Sequence, residues 1–228
     1  MNYNVVEIFD SIEGEGKRTG MPATFIRLAG CNLRCTYCDT TYALEAIDGE
    51  YTTMPIDELL AQLKQRLYSR VTLTGGEPLT APNVEILVYQ MLKLDKEVNI
   101  ETNGSVDVSF LFDYMQTKNY SPGSKLFYTM DYKLPSSGVT DSMHMPNYTK
   151  LRPCDVLKFV VGSQQDITHM IDVVRSLTSK PQIYIGAVYG KYELKNLVQT
   201  IIDTPELKNA TLQVQLHKII WDANERGV

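Results

Sequence analysis

The sequence predicts an α/β protein in which a mostly parallel sheet carries the functional groups along one edge. Short runs rich in β-branched and aromatic residues alternate with segments whose apolar residues recur at helical spacing. That alternation is typical of crossover connections and therefore of parallel strands. Cysteine, glycine and polar motifs directly follow the strand-like runs. In such sheets ligands bind beyond the carboxyl ends of the strands, so these motifs are expected to meet there.

The individual elements follow from the same patterns, and the 228 residues are expected to form one domain, 1–228. Strands are predicted at 5–9, 23–28, 71–74, 98–102, 126–130, 156–161, 183–187 and 212–216. Helices are predicted at 55–67, 84–92, 108–118, 167–177 and 194–201. Residues 135–153 show no periodicity and contain several prolines, glycines and serines, so a long loop is expected there.

Composition excludes several classes of protein. A net charge of −5 gives no reason to expect a nucleic-acid surface. No apolar run approaches the roughly 20 residues that a transmembrane helix needs, so no membrane association is expected. Three of the four cysteines are clustered, which suits a reducing cytoplasm better than a disulfide framework. We therefore expect a cytoplasmic protein.

The cluster is formed by Cys31, Cys35 and Cys38, spaced C-x3-C-x2-C after a strand-like run. So short a loop turns three thiolates toward one point, as a metal ion or an iron–sulfur cluster requires. No fourth cysteine follows nearby; three thiolates on a four-iron cubane leave one iron open to a small molecule. The alternative is a structural zinc ion completed by a more distant ligand. The candidates for that ligand are Cys154, His144, His169 and His217.

Together with Thr74-Gly75-Gly76-Glu77-Pro78, the cysteine motif resembles that of the radical S-adenosylmethionine (SAM) superfamily. Further segments narrow the resemblance to the 7-carboxy-7-deazaguanine synthase family. They are 7–9, 14–16, 25–35, 37–40, 101–104 and 215–218, so the resemblance extends along the whole chain. It implies a partial (β/α) barrel of the radical SAM type, with a mostly parallel six-stranded sheet, open at one side and reduced in its outer helices.

The resemblance also implies the chemistry. A [4Fe–4S] cluster on Cys31, Cys35 and Cys38 would bind SAM at its open iron and reductively cleave it to methionine and a 5′-deoxyadenosyl radical. That radical would take a hydrogen atom from C6 of 6-carboxy-5,6,7,8-tetrahydropterin. Ring contraction, regeneration of SAM and loss of ammonia would then yield 7-carboxy-7-deazaguanine. The family is usually homodimeric and takes its electron from an external one-electron reductant of the flavodoxin or ferredoxin type.

Cofactor-binding positions carry over residue by residue. The paired glycines let the backbone approach a ligand closely, and Glu77 is expected to accept hydrogen bonds from the methionyl ammonium. Thr40 matches the position of a Mg²⁺ ligand that also holds the substrate. Asp131-Tyr132-Lys133 stands where the family often has Ser-Pro-Lys, so only the lysine matches. The full set of expected SAM-binding residues is Tyr37, Cys38, Asp39, Gly76, Glu77, Asn103, Asp131, Lys133 and Gly186.

The expected substrate-binding residues are Ile12, Glu13, Gly14, Arg27, Thr74, His217 and Val228, the last through its carboxylate. Arg27 lies within an apolar strand, where its guanidinium needs an anionic partner. A substrate carboxylate meets that need, and so does an ion pair with Glu13 or Glu15. Glu13 departs from the usual glutamine of the family, and an ionised glutamate can only accept hydrogen bonds. His217 is expected to end the last strand, where a packed core role is the alternative.

Two other functions remain open on the sequence. A glycyl-radical-activating enzyme would keep the SAM chemistry and act on a protein backbone; the 14–16 segment, Arg27 and His217 argue against it. A zinc-stabilised binding module would have no catalytic activity. The segment Thr74–Pro78 favours the iron–sulfur interpretation over zinc.

Overall fold

The computed structural model describes residues 1–46 and 49–228 of the chain. The sheet has the strand order β3-β1-β2-β4-β5-β6-β7-β8-β9. The strands are β1 Asn2–Ile12, β2 Pro22–Leu28, β3 Thr52–Pro55, β4 Arg70–Gly75, β5 Glu97–Thr102, β6 Leu126–Tyr132, β7 Val156–Val161, β8 Gln182–Ala187 and β9 Thr211–Leu212. The helices are α1 Ile56–Gln65, α2 Val84–Lys93, α3 Ser109–Thr117, α4 Met145–Lys150, α5 Gln164–Ser176, α6 Leu194–Asp203 and α7 His217–Ile220.

From β2 to β9 every neighbouring pair is parallel, whereas β1 pairs antiparallel with both β2 and β3. The mostly parallel sheet predicted from the alternating pattern is therefore confirmed. The edges are β3 and β9, so the described residues form an open barrel rather than a closed one.

Helices cover the outer face of the sheet because their apolar residues lie on one side. In α1, Leu59 and Leu63 are fully buried, while Asp57 and Glu58 lie in the first turn and Lys64 in the last. Acidic residues at the start and a basic residue at the end of a helix interact favourably with the helix dipole. Burying one such leucine stabilises the fold by about 1.5–3 kcal/mol.

Four expectations from the sequence are wrong in detail. Within the described residues the sheet has nine strands rather than six, since β1 and β3 add an antiparallel edge and short β9 continues the parallel series. Leu67 lies beyond the end of α1 and is 86% exposed. The segment 135–153 contains α4 and two turns of 3₁₀ helix rather than one long loop. The last strand ends at Leu212, and His217 begins α7 instead of ending a strand.

The barrel interior is polar, and residues 13–18 fill its lower part. Glu13 accepts a hydrogen bond from Thr72, the amide of Gly16 donates to Gln213 at 2.9 Å, and buried Arg18 pairs with Glu97 at 3.1 Å. At Leu216 the amide donates to the carbonyl of residue 14 at 3.1 Å, across the gap beside β9. This segment therefore forms a floor under the space enclosed by the sheet.

Among residues 1–46 and 49–228, no helix combines the length and the apolarity needed to cross a membrane.

Candidate active site

A cavity of about 550 Å³ lies at the carboxyl edge of the parallel strands. Residues from the loops that follow β2, β4, β5, β6 and β8, and from the segment after β9, line this cavity. The convergence predicted from the sequence is thus present, because parallel strands place their carboxyl ends at one edge.

The loop after β2 is held from both sides by backbone hydrogen bonds. The amides of Gly30 and Cys31 donate to the carbonyls of Ala43 and Leu44 at 2.8 and 2.9 Å. Farther on, the amide of Thr36 donates to Ser137 at 3.0 Å. These bonds place the Cys31, Cys35 and Cys38 side chains on the cavity wall.

The cysteine sulfurs lie in surroundings that suit thiolate ligands of iron. The Leu33 amide lies 3.4 Å from Cys31 Sγ and the Asn103 side-chain amide lies 3.8 Å from it, both as donors. Such donors stabilise negative charge on sulfur and tune a bound cluster. Burial raises the pKa of the Cys31 and Cys35 thiols, and both must lose their protons to become metal ligands.

A single zinc ion needs a tighter set of ligands than a four-iron cluster does. Within the described part of the chain, no three His, Cys, Asp or Glu side chains converge closely enough for one metal ion. A zinc ion binds each sulfur at about 2.3 Å and so needs its ligands close together, whereas a cubane offers a separate iron to each thiolate. A cluster therefore makes looser demands than a zinc ion on how closely the three cysteine sulfurs approach one another.

The proposed distant zinc ligands lie elsewhere, with one exception. Cys154 precedes β7, at the opposite edge of the sheet, where its carbonyl accepts a hydrogen bond from Lys17 at 2.5 Å. His144 lies 3.9 Å from Asp107, and His169 lies 3.2 Å from the Tyr132 hydroxyl. Of the four candidates, only His217 lines the cavity.

The glycine motif packs directly against the cysteine loop. A Cβ at Gly76 would overlap the carbonyl oxygen of Gly30 and lie 2.7 Å from the Cys31 Cβ. The Glu77 amide donates to the Gly30 carbonyl at 2.7 Å, which ties the two loops together. Glycine is therefore required here for close approach of two backbones.

Glu77 does not line the cavity, which corrects the expectation that it meets the methionyl ammonium. Its carboxylate accepts hydrogen bonds from the amides of Leu79 and Asn103 and from the Thr102 hydroxyl, at 2.6–3.0 Å. Burial raises the pKa of this carboxyl to about 7. Its place in the site is to hold the backbone of Asn103, which does line the cavity.

Arg27 lines the cavity and pairs with a carboxylate other than the two that the sequence suggests. Its Nε donates to Glu7 Oε1 at 2.6 Å, in place of the expected Glu13 or Glu15. The two residues face each other because Glu7 and Arg27 are paired across β1 and β2. The same oxygen accepts from the Tyr42 hydroxyl at 3.2 Å.

Glu13 also lies outside the cavity, contrary to the expected direct substrate contact through its side chain. It is 1% exposed, hydrogen-bonded to Thr72 and 4.0 Å from the Arg18 guanidinium. Burial, followed by the charge of nearby Glu101, raises the pKa of Glu13 to about 7. Its side chain points into the floor, so its effect on the cavity is indirect.

Charged side chains that are largely but not fully buried form ion pairs inside the barrel. Lys158 lies 3.0 Å from Glu15 and 3.3 Å from Asp131, and Lys133 lies 2.5 Å from Asp131. Burial would lower the pKa of Lys158, but the charges of Asp131, Glu15 and Glu101 outweigh it and raise the pKa well above its usual value. The cavity therefore contains two fixed ammonium groups beside two carboxylates.

The segment after β9 forms another part of the cavity wall. His217 packs against Gly14, where a side chain would collide with the imidazole, and burial lowers the pKa of His217. Lys218 donates to Asp39 at 2.7 Å. Burial would raise the pKa of Asp39, but the hydrogen bond and charge of Lys218 lower it overall. Thr40 donates to the same carboxylate at 3.1 Å.

The cavity brings together most of the residues predicted from the sequence. Gly186 does not line it, since this glycine lies within β8 against Gln213, and the wall is made instead by Val188 and Tyr189. The predicted residues that line the cavity are Ile12, Gly14, Arg27, Cys31, Cys35, Tyr37, Cys38, Asp39, Thr40, Thr74, Gly76, Asn103, Asp131, Lys133, His217 and Val228.

Several lining residues were missed. Lys158 carries the signal that identified Arg27, a cation within an apolar strand, and Glu101 precedes Asn103 in the same motif. Tyr42 lies two residues beyond the recognised segment 37–40, and Lys218 lies within 215–218. Only the folded chain places these four in one cavity, because their partners are distant in sequence.

Comparison with known proteins identifies the family of the chain. The radical SAM superfamily model matches residues 25–117. A 7-carboxy-7-deazaguanine synthase of Clostridium acetobutylicum is 44% identical over 232 residues, covering 100% of both chains. The chain belongs to the 7-carboxy-7-deazaguanine synthase family.

A second synthase of this family, from Methanospirillum hungatei, is 36% identical and covers 95% of this chain and 84% of its own. The crystal structure of QueE from Escherichia coli has a TM-score of 0.73 at 23% identity, covering 93% of each chain, and supports the fold. As a member of the synthase family the chain is a radical SAM enzyme, with a [4Fe–4S] cluster and SAM as cofactors. The two alternatives, a glycyl-radical-activating enzyme and a zinc module, are therefore wrong.

Proposed function

We propose that this chain converts 6-carboxy-5,6,7,8-tetrahydropterin to 7-carboxy-7-deazaguanine with loss of ammonia. The observation that carries the proposal is one cavity that joins the cysteine wall to Arg27 and His217. Identity of 44% over the full length of a named synthase supports it. Bound cluster and SAM would supply a carbon radical that removes a hydrogen atom from the substrate.

The cysteine side of the cavity would hold the cofactors. Cys31, Cys35 and Cys38 would ligate the cluster, with Asn103 and the Leu33 amide donating to sulfur. Tyr37, Asp39, Gly76, Asn103, Asp131 and Lys133 would form the SAM pocket. The Asp131–Lys133 pair fixes both side chains, because neither is easily moved out of a buried ion pair.

The opposite side would orient the pterin. Arg27 would bind a substrate carboxylate through the part of its guanidinium that Glu7 leaves free, since only Nε donates to Glu7. His217, neutral because burial lowers its pKa, would exchange hydrogen bonds with the pterin edge. Ile12, Gly14, Thr74 and the Val228 carboxylate would complete the wall. Fixing the substrate in this way shortens the distance between reacting atoms and excludes water.

Thr40 would bind Mg²⁺ together with the substrate. Mg²⁺ retains several waters and accepts few protein ligands, so one hydroxyl beside the Asp39 carboxylate is sufficient. We further propose that the chain works as a homodimer in a reducing cytoplasm and receives electrons from a flavodoxin- or ferredoxin-type protein. An oxygen-sensitive cluster favours that compartment.

The cysteines provide the test. Cys31→Ala should abolish product formation and lower bound iron and sulfide, whereas Cys154→Ala should retain both because Cys154 lies at the opposite edge of the sheet. The assay incubates anaerobic, reconstituted protein with the tetrahydropterin, SAM and dithionite, and detects the product by mass spectrometry. Wild-type protein that binds the cluster and cleaves SAM but leaves the pterin unchanged would refute the proposed substrate.

A further inference from the structure

The last seven residues, 222–228, form part of the cavity lining, and we call them the strap. Five of them line the cavity: Ala223, Asn224, Glu225, Gly227 and Val228. Arg226 lies between lining residues but is not itself part of the wall. Its side chain is directed outward and contacts a different segment of the chain.

Arg226 joins the strap to the body of the protein. Its guanidinium donates to Glu50 at 2.7 Å and stacks on the Tyr42 ring, 3.8 Å from the ring centroid. The other hydrogen bonds within the strap are local, from the amides of Asn224 and Glu225 to Asp222. Within the described residues, Arg226–Glu50 is the only hydrogen bond between the strap and another segment.

Tyr42 connects this contact to the substrate side of the site. Its ring lies under Arg226 and its hydroxyl donates at 3.2 Å to Glu7, the carboxylate that also holds Arg27 at 2.6 Å. One aromatic side chain therefore supports both the strap and the arginine on the cavity wall. The Arg226 contact and the Glu7–Arg27 pair therefore share Tyr42 as a common neighbour.

We propose that Arg226 is a positioning residue that holds the strap closed over the pterin side of the cavity. The inference rests on the proposed function only for the identity of the substrate. The Arg226–Glu50 pair is half exposed on the arginine side and more exposed on the glutamate side, so it is a weak, reversible contact. Cation–π stacking on Tyr42 adds to it. A contact of this strength can open for substrate entry and close afterwards.

The proposal predicts an effect on binding rather than on the chemical step. Arg226→Ala should raise KM and the equilibrium Kd for the tetrahydropterin roughly three- to ten-fold, the range expected for one exposed ion pair plus one exposed cation–π contact. The value of kcat should change less than about two-fold, because Arg226 does not touch the cavity. The fluorescence anisotropy of Trp221, the only tryptophan of the chain, should fall as the adjoining strap becomes mobile.

Two further variants give the experiment its controls. Arg175→Ala removes an equally exposed arginine, paired with Glu206 at 2.7 Å away from the cavity, and should leave KM, Kd and anisotropy unchanged. The charge swap Glu50→Arg with Arg226→Glu should recover part of the lost affinity and anisotropy, since it restores the ion pair in reverse.

The outcomes separate this inference from the proposed function. Arg226→Ala with wild-type KM, Kd and anisotropy would overturn the inference about Arg226. A loss of both kcat and thermal stability that the charge swap does not restore would also overturn it. Failure of wild-type protein to bind the pterin would refute the proposed substrate; the Trp221 anisotropy of the four proteins would still decide whether Arg226 holds the strap.

Discussion

At the scale of single residues, Arg27 both forms an ion pair within the sheet and lines the cavity. A guanidinium in an apolar strand needs a carboxylate, and strand pairing places Glu7 opposite it. Arg27 lines the cavity and only its Nε donates to Glu7, so its other guanidinium nitrogens remain available to a ligand. Sequence reasoning identified the need for a partner, but strand register determined which carboxylate met it.

Replacing Arg27 tests this division of roles. Arg27→Lys keeps the positive charge but loses the fork that holds Glu7 and a substrate carboxylate together. We expect KM for the tetrahydropterin to rise about 10- to 100-fold, the range for loss of a hydrogen bond to a charged group. Steady-state kinetics measures KM, and equilibrium dialysis of SAM is the internal control, which should change little. Equal weakening of SAM and pterin binding would show that Arg27 supports the whole cavity instead.

At the scale of elements, the turn after β4 and the loop after β2 act as one unit. Gly75 has a φ of +154° and lies against the Leu28 backbone, and the Gly76 amide donates to the Leu28 carbonyl at 3.2 Å. The adjoining Glu77 carboxylate then fixes the Asn103 backbone after β5. Three successive strand ends are therefore locked together beside the cysteines.

A methyl group at this contact should separate the loops. Gly76→Ala places a Cβ against Gly30 and Cys31, so we expect the variant to bind less iron and sulfide than wild type while remaining folded. Gly186→Ala is the matched control, because its nearest atoms would lie 3.5 Å away. Iron and sulfide analysis with circular dichroism measures both properties. Full cluster content in Gly76→Ala would contradict the proposed packing requirement.

At the scale of the whole molecule, the interior of the barrel is polar, unlike an ordinary apolar core. Its interior contains Glu13, Arg18 and Lys158 together with buried threonines and asparagines, while the apolar core lies between the sheet and the helices. Residues 13–18 and Gln213 bring these polar groups from both ends of the chain into one floor. The same arrangement that shapes the cavity therefore makes stability dependent on pH.

Glu13 should contribute measurably to the pH dependence of the protein's stability. Burial raises the pKa of Glu13 from 4.5 to about 7, so the folded protein binds more protons than the unfolded chain between these values. Its contribution to stability is complete below pH 4.5 and is lost as pH rises through about 7. At about 1.4 kcal/mol per unit, the loss reaches at most about 3 kcal/mol.

Comparing wild type with Glu13→Gln isolates the contribution of Glu13 to the pH dependence of stability. Glu77, whose pKa burial also raises to about 7, acts in the same direction, while burial lowers the pKa of His217 and opposes it. Both groups remain in the variant, so Glu13→Gln should gain stability relative to wild type between pH 5 and pH 8. Urea unfolding under anaerobic conditions at the two pH values measures the gain. Parallel pH profiles for the two proteins would contradict the assignment.

The sequence by itself determined the alternating fold class, the edge at which the motifs meet and the family to which the chain belongs. These depend on local periodicity and on short motifs such as Cys31–Cys38 and Thr74–Pro78, which are contiguous in the chain. Tertiary structure alone decided that Glu7 pairs with Arg27, that Glu13 and Glu77 turn away from the cavity and that Arg226 reaches Glu50. Those outcomes depend on strand register, burial and contacts between distant segments, and no local pattern specifies them.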